Sequence, residues 1–151
     1  MRERTVCFTG HRNIPAGQYD AVYHRLKDVL AEAIGRGYRY FGAGGALLKR
    51  TYSFIRLILV LPCPSQASRW KEQDQKVYER IKAQADKVVY TSRRYTKDCM
   101  YRRNRHLVNC SSMCISYQTR PTGGTAYTVS YARKRGLAVI NIAQETACKP
   151  E

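Results

Sequence analysis

The sequence predicts an α/β fold: a Rossmann-like three-layer sandwich with a mainly parallel sheet. Three observations carry this expectation. Six short apolar runs punctuate the chain, and amphipathic segments at helical spacing separate most of them. Several runs are apolar on both faces, the pattern of strands covered by helices on each side of a sheet.

The first strand is "TVCFT", residues 5–9. After it, Tyr19, Val22, Tyr23, Leu26, Val29, Leu30 and Ala33 mark one face of a helix over residues 18–35. "YRYFGA" (38–43) is the second strand and "RLILVLP" (56–62) the third. Trp70, Val77, Tyr78, Ile81 and Ala85 place a helix over 68–85, with Trp70 on its apolar face as a core anchor rather than a base-stacking platform. "KVVYTS" (87–92) is the fourth strand. Met100, Leu107 and Val108 indicate a shorter helix from about Asp98, and "MCISY" (113–117) is the fifth strand. Ala126, Val129 and Ala132 mark the last helix. Gly136 follows at the position where a left-handed residue closes a helix, and Arg133, Lys134 and Arg135 sit in the final turn, favourable for the helix dipole. "LAVINI" (137–142) is the sixth strand; the third, fourth and sixth runs are apolar on both faces. The tail "AQETACKPE" is expected on the surface. With no linker, repeat or low-complexity segment, residues 1–151 are expected to form one domain.

One place does not fit. Between Gly45 and Ile55 only "ALLKRTYSF" is available, whereas a parallel crossover needs about a dozen residues or more, usually with a helix. The expectation is a break in the chain's continuity within residues 45–53, or else a true deletion with a very tight connection.

Composition narrows the function. The chain has 151 residues, 44% of them hydrophobic, enough for a sizeable core. No apolar stretch approaches the roughly 20 residues of a membrane span, and the N-terminus is too weakly apolar for a signal peptide. A cytoplasmic protein with no membrane partner is expected. Net charge is +16, from 27 basic and 11 acidic residues, which suits anionic partners, although charge alone does not separate that role from a passive, solubilising surface. The six cysteines form no CxxC pair, and several sit in apolar strand-like runs, where they read as small buried hydrophobes; a disulfide framework is not expected. His106, Cys110 and Cys114 recur every four residues, but a strand at 113–117 would break their common face, so no metal site is expected.

Ligands of open α/β sheets lie at the C-terminal ends of the strands. Four segments follow strands: "TGHRN", "GAGGA", "PCPSQASRW" and "PTGGTAYT". Gly44-Gly45 and Gly123-Gly124 each allow backbone N–H groups to approach a phosphate at a helix N-terminus, with Thr125 and Thr128 adding hydroxyls beside the second pair. Neither is a P-loop, and neither matches GxGxxG. His11 and Arg12, in the first loop, suit anion binding or proton transfer; Arg103 and Asn104 suit a sugar or base.

"CFTGHR", "GGAL", "LILVLPCPSQASRW", "DKVVYTSRRYTKDCMYRRNR" and "TGGTAYTV" occur in this order. Together they closely resemble the YpsA-like branch of the SLOG superfamily, which also holds the DprA and LOG proteins. The resemblance runs from Thr5 to about Ile142. It implies a Rossmann-like domain whose crevice binds a nucleotide or nucleotide-derived ligand. By motif, the ligand-facing positions are Thr9, Gly10, His11 and Arg12; Gly44 and Gly45; Arg103 and Asn104; and Gly123, Gly124 and Thr125. Two departures stand out. After "GGAL" the family continues with a glycine, an aromatic residue and an aspartate, then a full helix; here Leu48, Lys49 and Arg50 follow. LOG-type phosphoribohydrolases carry a glutamate seven residues after the first glycine of their PGG motif, which falls on Ser130 here, although Arg103 matches their arginine. Glycosidic hydrolysis is therefore disfavoured for want of its acid–base carboxylate.

Three functions follow as expectations. The first is binding or sensing of a nucleotide-like small molecule. The second is an enzyme processing such a ligand, with His11 as its acid–base candidate. The third is DprA-like nucleic-acid binding through Arg93, Arg94, Arg102, Arg103 and Arg105. No cofactor is expected, and homo-oligomer formation is left open.

Overall fold

The structure, a computed structural model, describes residues 1–11, 13–44 and 55–143. It contains strands β1 (Thr5–Gly10), β2 (Tyr40–Ala43), β3 (Arg56–Leu61), β4 (Lys87–Tyr90), β5 (Met113–Tyr117) and β6 (Ala138–Asn141). Its helices are α1 (Tyr19–Gly35), α2 (Glu72–Gln84), α3 (Cys99–Asn109) and α4 (Gly124–Lys134). All six strands join one sheet in the order β4-β3-β2-β1-β5-β6, and every neighbouring pair is parallel.

Strand alternation explains the layers, because registered residues of parallel strands share a face. Val6, Phe41 and Met113 point one way, where α1 covers them with Val22, Val29 and Ala33. On that same face α2 lays Tyr78 and Ile81 over Leu59 and Leu61 of β3. Cys7, Val60 and Cys114 point the other way, under Leu107 and Val108 of α3 and Ala132 of α4. Gly42 belongs to this face, and a Cβ there would stand 3.0 Å from Leu107 Cδ2. The missing side chain lets α3 settle onto β2.

Two helices end in glycine, Gly136 as the sequence implies and Gly37 in addition. Gly37 (φ +95°) and Gly136 (φ +76°) adopt left-handed conformations after α1 and α4. Tyr38 N–H donates to the Ala33 carbonyl at 3.1 Å, and Leu137 N–H to the Ala132 carbonyl at 3.0 Å. Each bond closes a Schellman cap and aims the chain into the next strand.

Several expectations shift. Tyr38 serves the α1 cap, so β2 begins two residues later than expected, at Tyr40. The helix expected over 68–85 begins at Glu72, because residues 64–69 form turns. Trp70 nevertheless meets Tyr78 edge-on at 5.5 Å and packs against the α2 core. β4 and β6 are the sheet edges and remain partly exposed, whereas β5 is the strand buried along its whole length. Double-sided apolarity therefore did not separate edge from centre.

β2 and β3 lie side by side, joined by the twelve residues 44–55. The discontinuity expected within 45–53 lies outside the described residues, as do Arg12, Gly45 and the tail from 144. Cys7, Cys63, Cys99, Cys110 and Cys114 are free thiols, all buried except Cys110. Cys110 Sγ lies 3.7 Å from His106 Nε2, while Cys114 sits within β5 beside Cys7. Among the described residues no three potential ligands gather for a metal. A hydrogen bond with Cys7, reinforced by burial, pushes the Cys114 thiol well up.

Candidate functional site

The sheet order creates one place where loops part. From β1 to β4 each new strand is added on the same side, but β5 returns to the other side of β1. The strand order therefore reverses between β1 and β5, the kind of switch point beside which open α/β sheets place their ligands.

Gly10 ends β1 in register with Tyr117 of β5, and a Cβ at Gly10 would stand 3.3 Å from Tyr117 Cβ. His11 follows. Its N–H donates to the Tyr117 carbonyl at 3.0 Å, and its Nε2 accepts the Arg120 N–H at 3.3 Å. The ring is thereby fixed against the loop between β5 and α4. With its Nε2 lone pair engaged by a backbone N–H, the proton of the neutral ring belongs on Nδ1. Thr9 lies one residue earlier, opposite Ser116 and half-buried.

That loop ends in the second glycine pair. Gly123 is the N-cap of α4, with φ +94° and ψ −176°, a conformation available essentially only to glycine. No side chain caps the helix. The Tyr127 N–H bonds back to the Gly123 carbonyl, so the N–H groups of Gly124, Thr125 and Ala126 precede the helical ladder. They form an anion-attracting terminus reinforced by the helix dipole. Thr125 is buried in this first turn. The Thr128 hydroxyl is not a ligand donor here: it donates to the Gly124 carbonyl at 2.7 Å.

Opposite stands α3. Arg103 Nη1 donates to the Gly44 carbonyl at 3.0 Å, and Arg103 Nε to Asn104 Oδ1 at 2.7 Å. The guanidinium lies so close to Gly44 that a Cβ there would collide with it, at 2.8 Å from Cζ. Asn104 Nδ2 would lie 3.9 Å from a Cβ on Gly124. Two adjacent residues of α3 thus bridge the end of β2 to the start of α4.

Of the positions expected from sequence, Gly44, Arg103 and Asn104 are joined by hydrogen bonds, and Gly124 with the adjoining Gly123 lies near Asn104. Gly10 and His11 form a second cluster at the end of β1, held to Tyr117 and to Arg120 of the β5–α4 loop. Arg12 and Gly45 lie outside the described residues. Ser130, the counterpart of the LOG glutamate, is exposed on α4. Sequence reasoning missed Tyr117 and Arg120, which hold His11 through backbone groups. A carbonyl and an amide leave no residue-type signal.

Among solved structures, DNA processing protein A from Helicobacter pylori, described for its single-stranded DNA binding mode, is similar over 95% of this chain and 71% of that one. The TM-score is 0.62 at 19% sequence identity, a likeness of fold. No curated protein matches. A family model does match, over residues 43–139, a span that holds both glycine pairs and α3 but not the "CFTGHR" segment. That model is YpsA, and with well over half of its length matched the chain belongs to the YpsA family of SLOG proteins.

Proposed function

We propose that the chain binds or senses a nucleotide or nucleotide-derived small ligand in the crevice above β1, β2 and β5. The convergence of Arg103 and Asn104 on Gly44 and Gly124 carries this reading. A phosphate at the start of α4 would receive the N–H groups of Gly124, Thr125 and Ala126, with the Arg103 guanidinium supplying charge. Asn104 offers both donor and acceptor to a sugar or base edge. The residues expected from motif to face a ligand, Thr9, Gly10, His11, Arg12, Gly44, Gly45, Arg103, Asn104, Gly123, Gly124 and Thr125, are the proposed site. Membership of the SLOG family and the orphan donors at α4 support the proposal.

Binding is favoured over turnover for two reasons. His11, the one acid–base candidate of the sequence, has its Nε2 engaged by Arg120. Ser130 brings no carboxylate to the site, and its exposed position on α4 points away from the buried Thr128 and Val129 side chains. Isothermal titration against ADP-ribose, NAD, ATP and AMP tests the reading. Saturable binding to the intact protein, lost in Arg103→Ala, is expected. No heat from any nucleotide would overturn it. Chromatography of the recovered ligand completes the test: released base or sugar phosphate that disappears in His11→Ala would replace a sensor by an enzyme.

A further inference from the structure

Apart from Arg103 and Asn104, α3 carries a second group of polar side chains. Arg102, Arg105, His106 and Asn109 share one flank of the helix. With Val89 and Tyr90 of β4 they line a cavity of about 450 Å³. That volume falls within the roughly 300–1,000 Å³ of small-molecule pockets. The lining holds two arginines and no carboxylate. Arg102 is committed to Asp98 at 2.9 Å, but among the described residues Arg105 forms no ion pair. Asn109 adds a side-chain amide whose oxygen accepts the Tyr131 hydroxyl at 3.0 Å. A small ligand bearing carboxylates suits this lining.

His106 connects the cavity to a nucleophile. Its Nε2 lies 3.7 Å from Cys110 Sγ, one turn further along. Cys110 is exposed, whereas Cys7, Cys63, Cys99 and Cys114 are buried. A thiol within reach of an imidazole is the pairing of a nucleophile with its base. Cys110 caps the C-terminal end of α3, where the helix dipole opposes negative charge. A thiolate formed there therefore relies on the imidazolium beside it.

We infer that Cys110 is a modification site for a low-mass, carboxylate-bearing disulfide of the glutathione type, and that the adjoining cavity receives its carboxylates. The class follows from the lining. An uncharged disulfide leaves Arg105 unmatched, and a cationic one is repelled by both arginines and by a net charge of +16. Glutathione is a tripeptide with a central thiol and a carboxylate at each end. Extended, three residues span about 10 Å. Cys110 lies five residues beyond Arg105, about 7.5 Å along the helix axis, so one ligand reaches from sulfur to guanidinium. The reaction is thiol–disulfide exchange. His106 Nε2 accepts the Cys110 thiol proton. The Cys110 sulfur attacks one sulfur of the disulfide, whose S–S bond breaks as the new one forms. The departing glutathione thiolate takes the proton back from the imidazolium. Cys110 is oxidised to a mixed disulfide, half of the reagent is reduced to a thiol, and no other oxidant is needed.

The test is intact-mass spectrometry of Cys148→Ser protein incubated with glutathione disulfide, with the adduct located by peptide mapping. One adduct per chain, on Cys110 and removed by dithiothreitol, is expected. His106→Ala should slow its formation about tenfold or more. Arg105→Gln should slow it about threefold while leaving exchange with uncharged hydroxyethyl disulfide unchanged. Both side chains are exposed, so unchanged thermal melts are expected of both variants. Arg103→Ala, in the nucleotide site, should alter neither rate. The inference is overturned by absence of an adduct, by an adduct elsewhere on the folded chain, or by His106→Ala protein that exchanges at the original rate. It is equally overturned if Arg105→Gln changes both reagents alike or neither, as an ordinary exposed thiol would.

Discussion

The contact between Arg103 and Gly44 can be weighed by a double-mutant cycle. Gly44 is not in a left-handed conformation, so alanine is tolerated by the backbone. Its Cβ is not tolerated by the neighbouring guanidinium, which must move and give up its 3.0 Å bond to the Gly44 carbonyl. A hydrogen bond from a charged donor contributes about 1.5–3 kcal/mol net when well shielded. Arg103 is half-buried, so about 1–2 kcal/mol is the appropriate figure. Alanine also restricts the unfolded chain, which returns about 0.4–1 kcal/mol. Gly44→Ala alone should therefore cost about 1 kcal/mol, a melting shift of roughly 2–4 °C for a chain of this size. Arg103→Ala should cost about 1.5–3 kcal/mol, since the bond to Asn104 Oδ1 goes as well. In the Arg103→Ala background the collision no longer exists, and adding Gly44→Ala should be neutral or stabilising. The coupling energy is thus about 1–2 kcal/mol, read from urea midpoints at constant m. Additivity within about 0.5 kcal/mol would refute the contact and, with it, the bridge between the two glycine segments.

Three further outcomes follow from the described residues. Gly123→Ala forces a side chain into the φ +94° conformation and should lower stability by about 1–3 kcal/mol in urea unfolding while abolishing nucleotide binding; Gly17→Ala, in open space, is the neutral control. Gly136→Ala should cost about 1 kcal/mol by disturbing the α4 cap but leave titration affinities unchanged, separating cap glycine from site glycine. Alkylation of native Cys148→Ser protein should label Cys110 alone, because burial shields the other described thiols and the hydrogen bond with Cys7 holds the Cys114 thiol up; denaturant should release four more, and extra labels before unfolding would contradict the packing.

The strands were legible because parallel sheets bury apolar runs whatever their neighbours, and β5 matches its expected range end to end. Gly136 was legible for a local reason: a helix closes there, and only glycine enters the left-handed turn without cost. Edge and centre were not legible, since β4 reads as apolar as β3 and only the sheet order decides which is covered. The start of α2 was misread because Trp70 fits the helical spacing yet reaches the core from a turn. Spacing reports where a side chain ends, not which backbone delivers it.

The candidate site shows the same division. The second glycine pair was readable as a strand-to-helix turn, and Gly123 owes its conformation to that local geometry. Gly44 is glycine for a different reason: Arg103, 59 positions away, occupies the place of its side chain. Nothing near residue 44 encodes that neighbour. The basic run in "YRRNR" likewise read as one patch, although a helix turns each successive residue by about 100°. That rotation sends Arg103 to the crevice and Arg102 and Arg105 to the sheet edge. A net charge of +16 therefore does not describe one diffuse basic surface. On this helix it is divided between a recessed position, where one guanidinium is held by a carbonyl and an amide, and an exposed one, where Arg105 lines a cavity beside Val89 and Tyr90 of β4.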